Sequence, residues 1–188
     1  MIILTGFGPY GKFKSNLSGD IAKEFSFKIQ NFQLKKEIIP VSWMQSINLY
    51  KDLLINLNCK PDLVVLLGIH SSKNYHLERY GWNFNMGKDI EKKVKFGLIK
   101  VCPHLWIRTT INLLKIFSVI KDKSYFSISN YAGSYLCNYL YYWALYISNK
   151  DYPVIFIHIP SNGNIIESSK KIEIILEAIL KTHLKEDL

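Results

Sequence analysis

The chain has 188 residues, 48% of them apolar and 14% aromatic, and a formal charge of +9. That length and apolar content suit one domain with a sizeable core, and no uninterrupted apolar run reaches the length that spans a bilayer. The charge comes from lysines scattered singly and in pairs, with Arg79 and Arg108 the only arginines; without a basic stripe or arginine forks, a solvated surface is expected and a nucleic-acid partner is not.

The N-terminus, MIILTGFGPYGKF, reads as a buried strand over Met1 to Thr5 that stops at Gly6. It lacks the basic segment and long apolar run of a signal peptide, so a cytoplasmic location is expected. Leu17 to Gln30 has helical spacing in Ile21, Ala22, Phe25 and Ile29, with Asn16 or Ser18 as cap. Lys36 to Val41 reads as a second strand, and Met44 to Leu57 as a helix with Ile47, Leu54 and Leu57 inward. Asp62 to Leu67 is a continuous apolar strand closed by Gly68. His70 to Lys100 is polar with interspersed aromatics and reads mostly as loop. A helix over Leu105 to Ile120, a strand over Tyr125 to Ser129, a helix over Tyr135 to Ser148 and the strand Val154 to Ile159 follow. A last helix runs from Ile165 or Ser168 to Leu184.

Strands alternating with helices imply an α/β fold: a single domain over residues 1–188, three layers deep, with a mainly parallel sheet between helices. No linker, repeat or low-complexity tract divides it. In such sheets ligands bind beyond the carboxyl ends of the strands. That rim collects GFGPYG, the stretch from Gly68 to Glu78, Cys137 and His158.

The three cysteines, Cys59, Cys102 and Cys137, are far apart and odd in number, which argues for free thiols. Cys102 and His104 find no second pair to complete a zinc site, so no metal is expected. Cys137 lies at the start of a predicted helix, where the helix dipole favours a thiolate, a nucleophile at neutral pH. It sits beside the stripe of Leu136, Leu140, Trp143, Ala144 and Ile147. Cysteine is also a common small core residue, so position alone does not make it a nucleophile. His158, near the end of an apolar strand, could take the thiol proton; His70, at another strand end, is the rival base. His76, His104 and His183 read as exposed or loop residues. Glu78, Asp89 and Glu91 are the carboxylates that could orient an imidazole, and spacing does not choose among them.

Four segments carry a family resemblance. GFGPYG followed by Asn16, the pair Glu78-Arg79 followed by Asn83, SNYAGSYLCN around Cys137, and FIHIP around His158 stand in this order along residues 1–160. Together they resemble the motifs of the pyroglutamyl peptidase I (pyrrolidone-carboxylate peptidase) family, a hydrolase fold of the phosphorylase/hydrolase-like kind. The resemblance implies Cys137 as nucleophile, His158 as base and acid, and Glu78 as orienter. It implies no cofactor, and a substrate peptide whose N-terminal residue has cyclised to 5-oxoproline. Phe7, Tyr10, Asn16, Val41 and Lys88 fall where the family binds substrate, and a homo-oligomer, dimer or tetramer, is also implied. This chain departs at Tyr10 and Val41, at Ile69 to Lys73, and at Lys88 to Glu91, where the family usually has an arginine and Ile-Pro-Asp-Asn. Two other readings stay open: a related cysteine hydrolase with a different acyl substrate, and a non-catalytic basic binding protein on the same fold.

Overall fold

The computed structural model describes residues 1–27 and 32–184. In chain order its elements are β1 (Ile2–Phe7), α1 (Leu17–Glu24), β2 (Leu34–Ile39), α2 (Trp43–Ile55), β3 (Leu63–His70), β4 (Tyr75–Glu78), β5 (Tyr80–Trp82), β6 (Asn85–Lys88), β7 (Val94–Gly97) and β8 (Trp106–Arg108). Then come α3 (Leu113–Val119), β9 (Phe126–Ser129), α4 (Leu136–Ser148), β10 (Val154–Pro160) and α5 (Ile165–Ile179), which runs into a π-helical turn at Leu180–Leu184.

The three most apolar strands, β1, β3 and β10, sit side by side at the centre of a six-stranded sheet ordered β2-β1-β3-β10-β4-β9. All neighbours are parallel except β10 and β4. Alternation along each strand feeds two cores. Ile2, Leu4, Val65, Leu67, Ile155 and Ile157 pack toward α1, α3 and α5. Ile3, Val64, Leu66 and Phe156 pack toward α2 and α4. The result is the three-layer α/β/α arrangement expected from the alternation of elements.

α1 approaches β1 so closely that both partners must be glycine at the contact. A Cβ on Gly6 would overlap the Ser18 carbonyl, and one on Gly19 would overlap the Phe7 carbonyl. Ser18 also accepts a hydrogen bond from the Phe7 N–H at 3.1 Å. The first glycine of GFGPYG therefore serves packing.

Several expectations are corrected. α1 ends at Glu24, and Phe25, expected inside it, is buried as its C-cap; the expected continuation over 28–30 lies outside the described residues. β2 is Leu34–Ile39, so Val41 is beyond the strand. The segment expected as loop between His70 and Lys100 carries β4, β5 and the β6–β7 hairpin. Its strands are three or four residues long, too short for alternation to register. The helix expected over Leu105 to Ile120 is instead β8 followed by α3. Trp106–Arg108 pairs with β5, and Asn112 caps α3 by accepting from the Lys115 N–H. Ile107, Thr109, Thr110 and Ile111 are β-branched, which resists helix and suits strand.

A candidate active site at the start of α4

Cys137 is the second residue of α4. No side chain caps this helix, so its first-turn N–H groups lack the usual acceptor and the positive end of the dipole is open. Below it, the strand register matters. His158 of β10 pairs with Gly68 of β3 on one side and His76 of β4 on the other. Gly68 makes the space for the sulfur: a Cβ there would lie 2.9 Å from Cys137 Sγ and 2.7 Å from Phe156 Cζ.

Glu78 lies opposite Phe156 in the antiparallel β4–β10 pair. Phe156 and His158 share the α4-facing side, so Glu78 stands diagonal to His158 on that side. The His158 Nδ1–H donates to Glu78 Oε1 at 2.7 Å, with both residues buried. The ring's other side meets Cys137. Burial opposes charge on His158, but the hydrogen bonds and charges of Cys137 and Glu78 outweigh it, and the imidazole pKa rises to about 9. Glu78 is fixed from behind by Tyr141 of α4, whose hydroxyl donates to the Glu78 carbonyl at 2.9 Å. Glu78 Oε2 is buried without a protein hydrogen bond among the described residues.

The geometry chooses among the carboxylates. Asp89 caps the β6–β7 turn and the start of α2, accepting from the N–H groups of Trp43, Glu91 and Lys93. Glu91 is held by Ser42 and Gln45 and pairs with Lys93 at 2.6 Å. Of these three carboxylates, Glu78 alone bonds a histidine among the described residues. Cys59 is exposed, and Cys102 contacts Tyr142, Asn83 and the His104 carbonyl. Among the described residues no group of histidine, cysteine and carboxylate side chains could hold a metal ion, and no helix is long and apolar enough to cross a membrane.

Aromatic side chains gather next to the start of α4. Phe7 and Val41 are buried next to Trp43. Tyr135, two residues before the cysteine, places its ring 5.3 Å from Trp43 and 5.8 Å from Tyr10, and its hydroxyl donates to the Lys88 carbonyl at 2.7 Å. Tyr10 and Lys88 line an open groove of about 480 Å³ with Gly11, Lys12, Phe13, Asp89 and Ile90. Asn16 caps α1, and its amide donates to the Gly8 carbonyl at 3.1 Å, so it shapes the loop that bears Tyr10.

Two features escaped the reading of the sequence. Asn138, fully buried, exchanges hydrogen bonds with the Trp82 N–H and carbonyl and donates to the Phe84 carbonyl, all at 2.8 Å, locking the first turn of α4 to the β5–β6 connection. Its place directly after the cysteine was the available signal. His76, expected as an exposed or loop residue, is half-buried on β4, its ring 4.2 Å from His70, which in turn lies 5.2 Å from His158.

Residues 1–182 match the family model described as pyroglutamyl peptidase. The pyrrolidone-carboxylate peptidase of Thermosipho africanus is 30% identical over 167 residues, covering 85% of this chain and 80% of the relative. That of Pyrococcus furiosus is 30% identical over 172 residues, covering 85% and 80%. Among solved structures, the pyrrolidone carboxyl peptidase of Thermococcus litoralis superposes with a TM-score of 0.89 at 25% identity, covering 100% of this chain and 96% of that one.

Proposed function

This chain belongs to the pyroglutamyl peptidase family, and on that premise we propose that it is a cysteine exopeptidase that removes an N-terminal 5-oxoprolyl group from peptides through a Cys137–His158–Glu78 triad. The observation that carries the reading is the meeting of a cysteine at an uncapped helix start with a buried histidine held at 2.7 Å by a buried glutamate. A histidine so placed stays protonated at neutral pH, next to the sulfur that attacks.

The substrate's lactam ring is flat and uncharged, which suits a slot walled by Phe7, Tyr10, Val41 and Tyr135. Cys137 Sγ bonds to the 5-oxoprolyl carbonyl carbon, and the carbonyl π pair moves to oxygen. The oxyanion faces the first-turn N–H groups of α4, that of Cys137 among them. As the tetrahedral species collapses, the C–N bond breaks and His158 protonates the departing nitrogen, leaving a thioester. Water then gives a proton to His158 and attacks the thioester, and the thiolate departs. Glu78 holds the ring tautomer and exchanges no proton. Lys88, lining the groove, supplies a mobile point charge rather than a planar guanidinium fork.

Hydrolysis of a 5-oxoprolyl amide, with and without prior alkylation by iodoacetamide, tests this reading. Turnover that alkylation abolishes is expected. No turnover, with Cys137 still alkylated, would assign the site to a different acyl group.

A further inference from the structure

We propose that His70 is the acceptor for the scissile N–H, orienting the leaving nitrogen toward His158; this rests on the peptidase reading above. Three imidazoles crowd the α4-facing rim. His70 ends β3, His158 lies on β10 and His76 on β4, with ring centroids 5.2 Å apart for His70 and His158 and 4.2 Å for His70 and His76. The triad accounts for one of them.

The order of groups across the sheet gives the cleft a direction. Phe7 lies on β1, Cys137 stands over Gly68 of β3, His158 lies on β10, and His76 and Glu78 lie on β4. With the acyl ring in the slot by Phe7 and Tyr10 and its carbonyl at Cys137, the leaving nitrogen lies over the rim where His70, at the end of β3, and His158, on the neighbouring β10, stand side by side.

His70 is in the right state to accept. Its Nε2 lies 2.9 Å from the Asn74 carbonyl, which only accepts, so Nε2 carries the hydrogen. Nδ1 then has a lone pair and no protein hydrogen bond among the described residues. Burial, followed by the charges of His158 and His76, pushes the His70 pKa down to about 4 against weaker opposing effects of the Asn74 carbonyl and Glu78, so the ring stays neutral across the working range. In the tetrahedral species the scissile nitrogen has one N–H and one lone pair. An N–H bonded to His70 Nδ1 turns the lone pair toward His158, which delivers its proton as the C–N bond breaks. The amine leaves carrying both hydrogens, and His70 ends unchanged.

The test pairs 5-oxoprolyl-alaninamide with its depsipeptide twin, in which oxygen replaces the scissile N–H, and compares kcat/KM for the parent, His70→Leu and His70→Asn. The ester has no hydrogen for His70 to accept. His70→Leu should lower kcat/KM on the amide by about 10–100-fold and leave the ester unchanged. His70→Asn, which puts a carbonyl oxygen near the Nδ1 position, should recover most of the loss. The rate of Cys137 alkylation, read by peptide mapping, should match the parent in both variants. An amide rate unaffected by His70→Leu overturns the proposal. So does an equal loss on both substrates or slowed alkylation, which would make His70 a structural support of His158. If the parent turns over neither compound, the peptidase reading fails, and this one with it.

Discussion

At the scale of single residues, the state of His158 decides the chemistry. A buried imidazole loses its proton easily, and here Cys137 and Glu78 reverse that. Turnover that needs the imidazolium should fall as pH rises through about 9. Glu78→Gln removes a charge that favours the proton, so the alkaline limb of kcat/KM should move to lower pH, with a loss of roughly 10²–10⁴-fold in rate. The new amide would also bury an N–H group where Oε2 now has no partner, a cost of about 1–3 kcal/mol. Unfolding curves should therefore accompany the kinetics. An unmoved alkaline limb in a folded Glu78→Gln protein would remove Glu78 from the triad. The family motif pointed to Glu78, whereas spacing alone left Glu78, Asp89 and Glu91 open, because the bond depends on a register between residues 80 positions apart.

At the scale of elements, the site depends on how closely α4 lies on β3. Gly68→Ala should leave the sheet intact, since β3 is held by β1 and β10 along its length. The new methyl group would press on Cys137 Sγ at 2.9 Å and on the Phe156 ring at 2.7 Å. Activity should drop at least tenfold with only modest loss of stability, as typical overpacking costs about 1–3 kcal/mol. Full activity in Gly68→Ala would mean that the sulfur does not need this space. The strong elements were readable: β1, β3 and β10 are long apolar runs, and α4 and α5 carry clear stripes. The stretch from His70 to Arg108 was not. Its strands are short, and their pairing is set by contacts from outside the segment, such as Asn138 on Trp82 and Phe84 and Tyr135 on Lys88. The insertion of β4 between β10 and β9 also escaped, because no local signal reports that a chain turns back antiparallel.

At the scale of the whole molecule, the buried His158–Glu78 pair is coupled to stability. His158 binds its proton more tightly in the folded chain, with a pKa near 9, than in the unfolded chain, where it is about 6.5. Its contribution is therefore complete below about pH 6.5 and is lost as pH rises toward 9, amounting to on the order of 3 kcal/mol. Urea unfolding of the parent and of His158→Asn from pH 6 to pH 10 should show a gap in stability that narrows across this window. A gap constant over that range would contradict the buried imidazolium. The acid side behaves differently, since His70 and His76 are held neutral chiefly by burial and gain protons only as pH falls.

The central claim is that Cys137 carries the acyl group. Acid quenching during turnover of a 5-oxoprolyl ester, followed by peptide mapping by mass spectrometry, tests it directly. A 5-oxoprolyl thioester is expected on the peptide containing Cys137, with no adduct on Cys59 or Cys102 and neither adduct nor turnover in Cys137→Ser. An adduct on another cysteine, or product release that persists in Cys137→Ser, would contradict it.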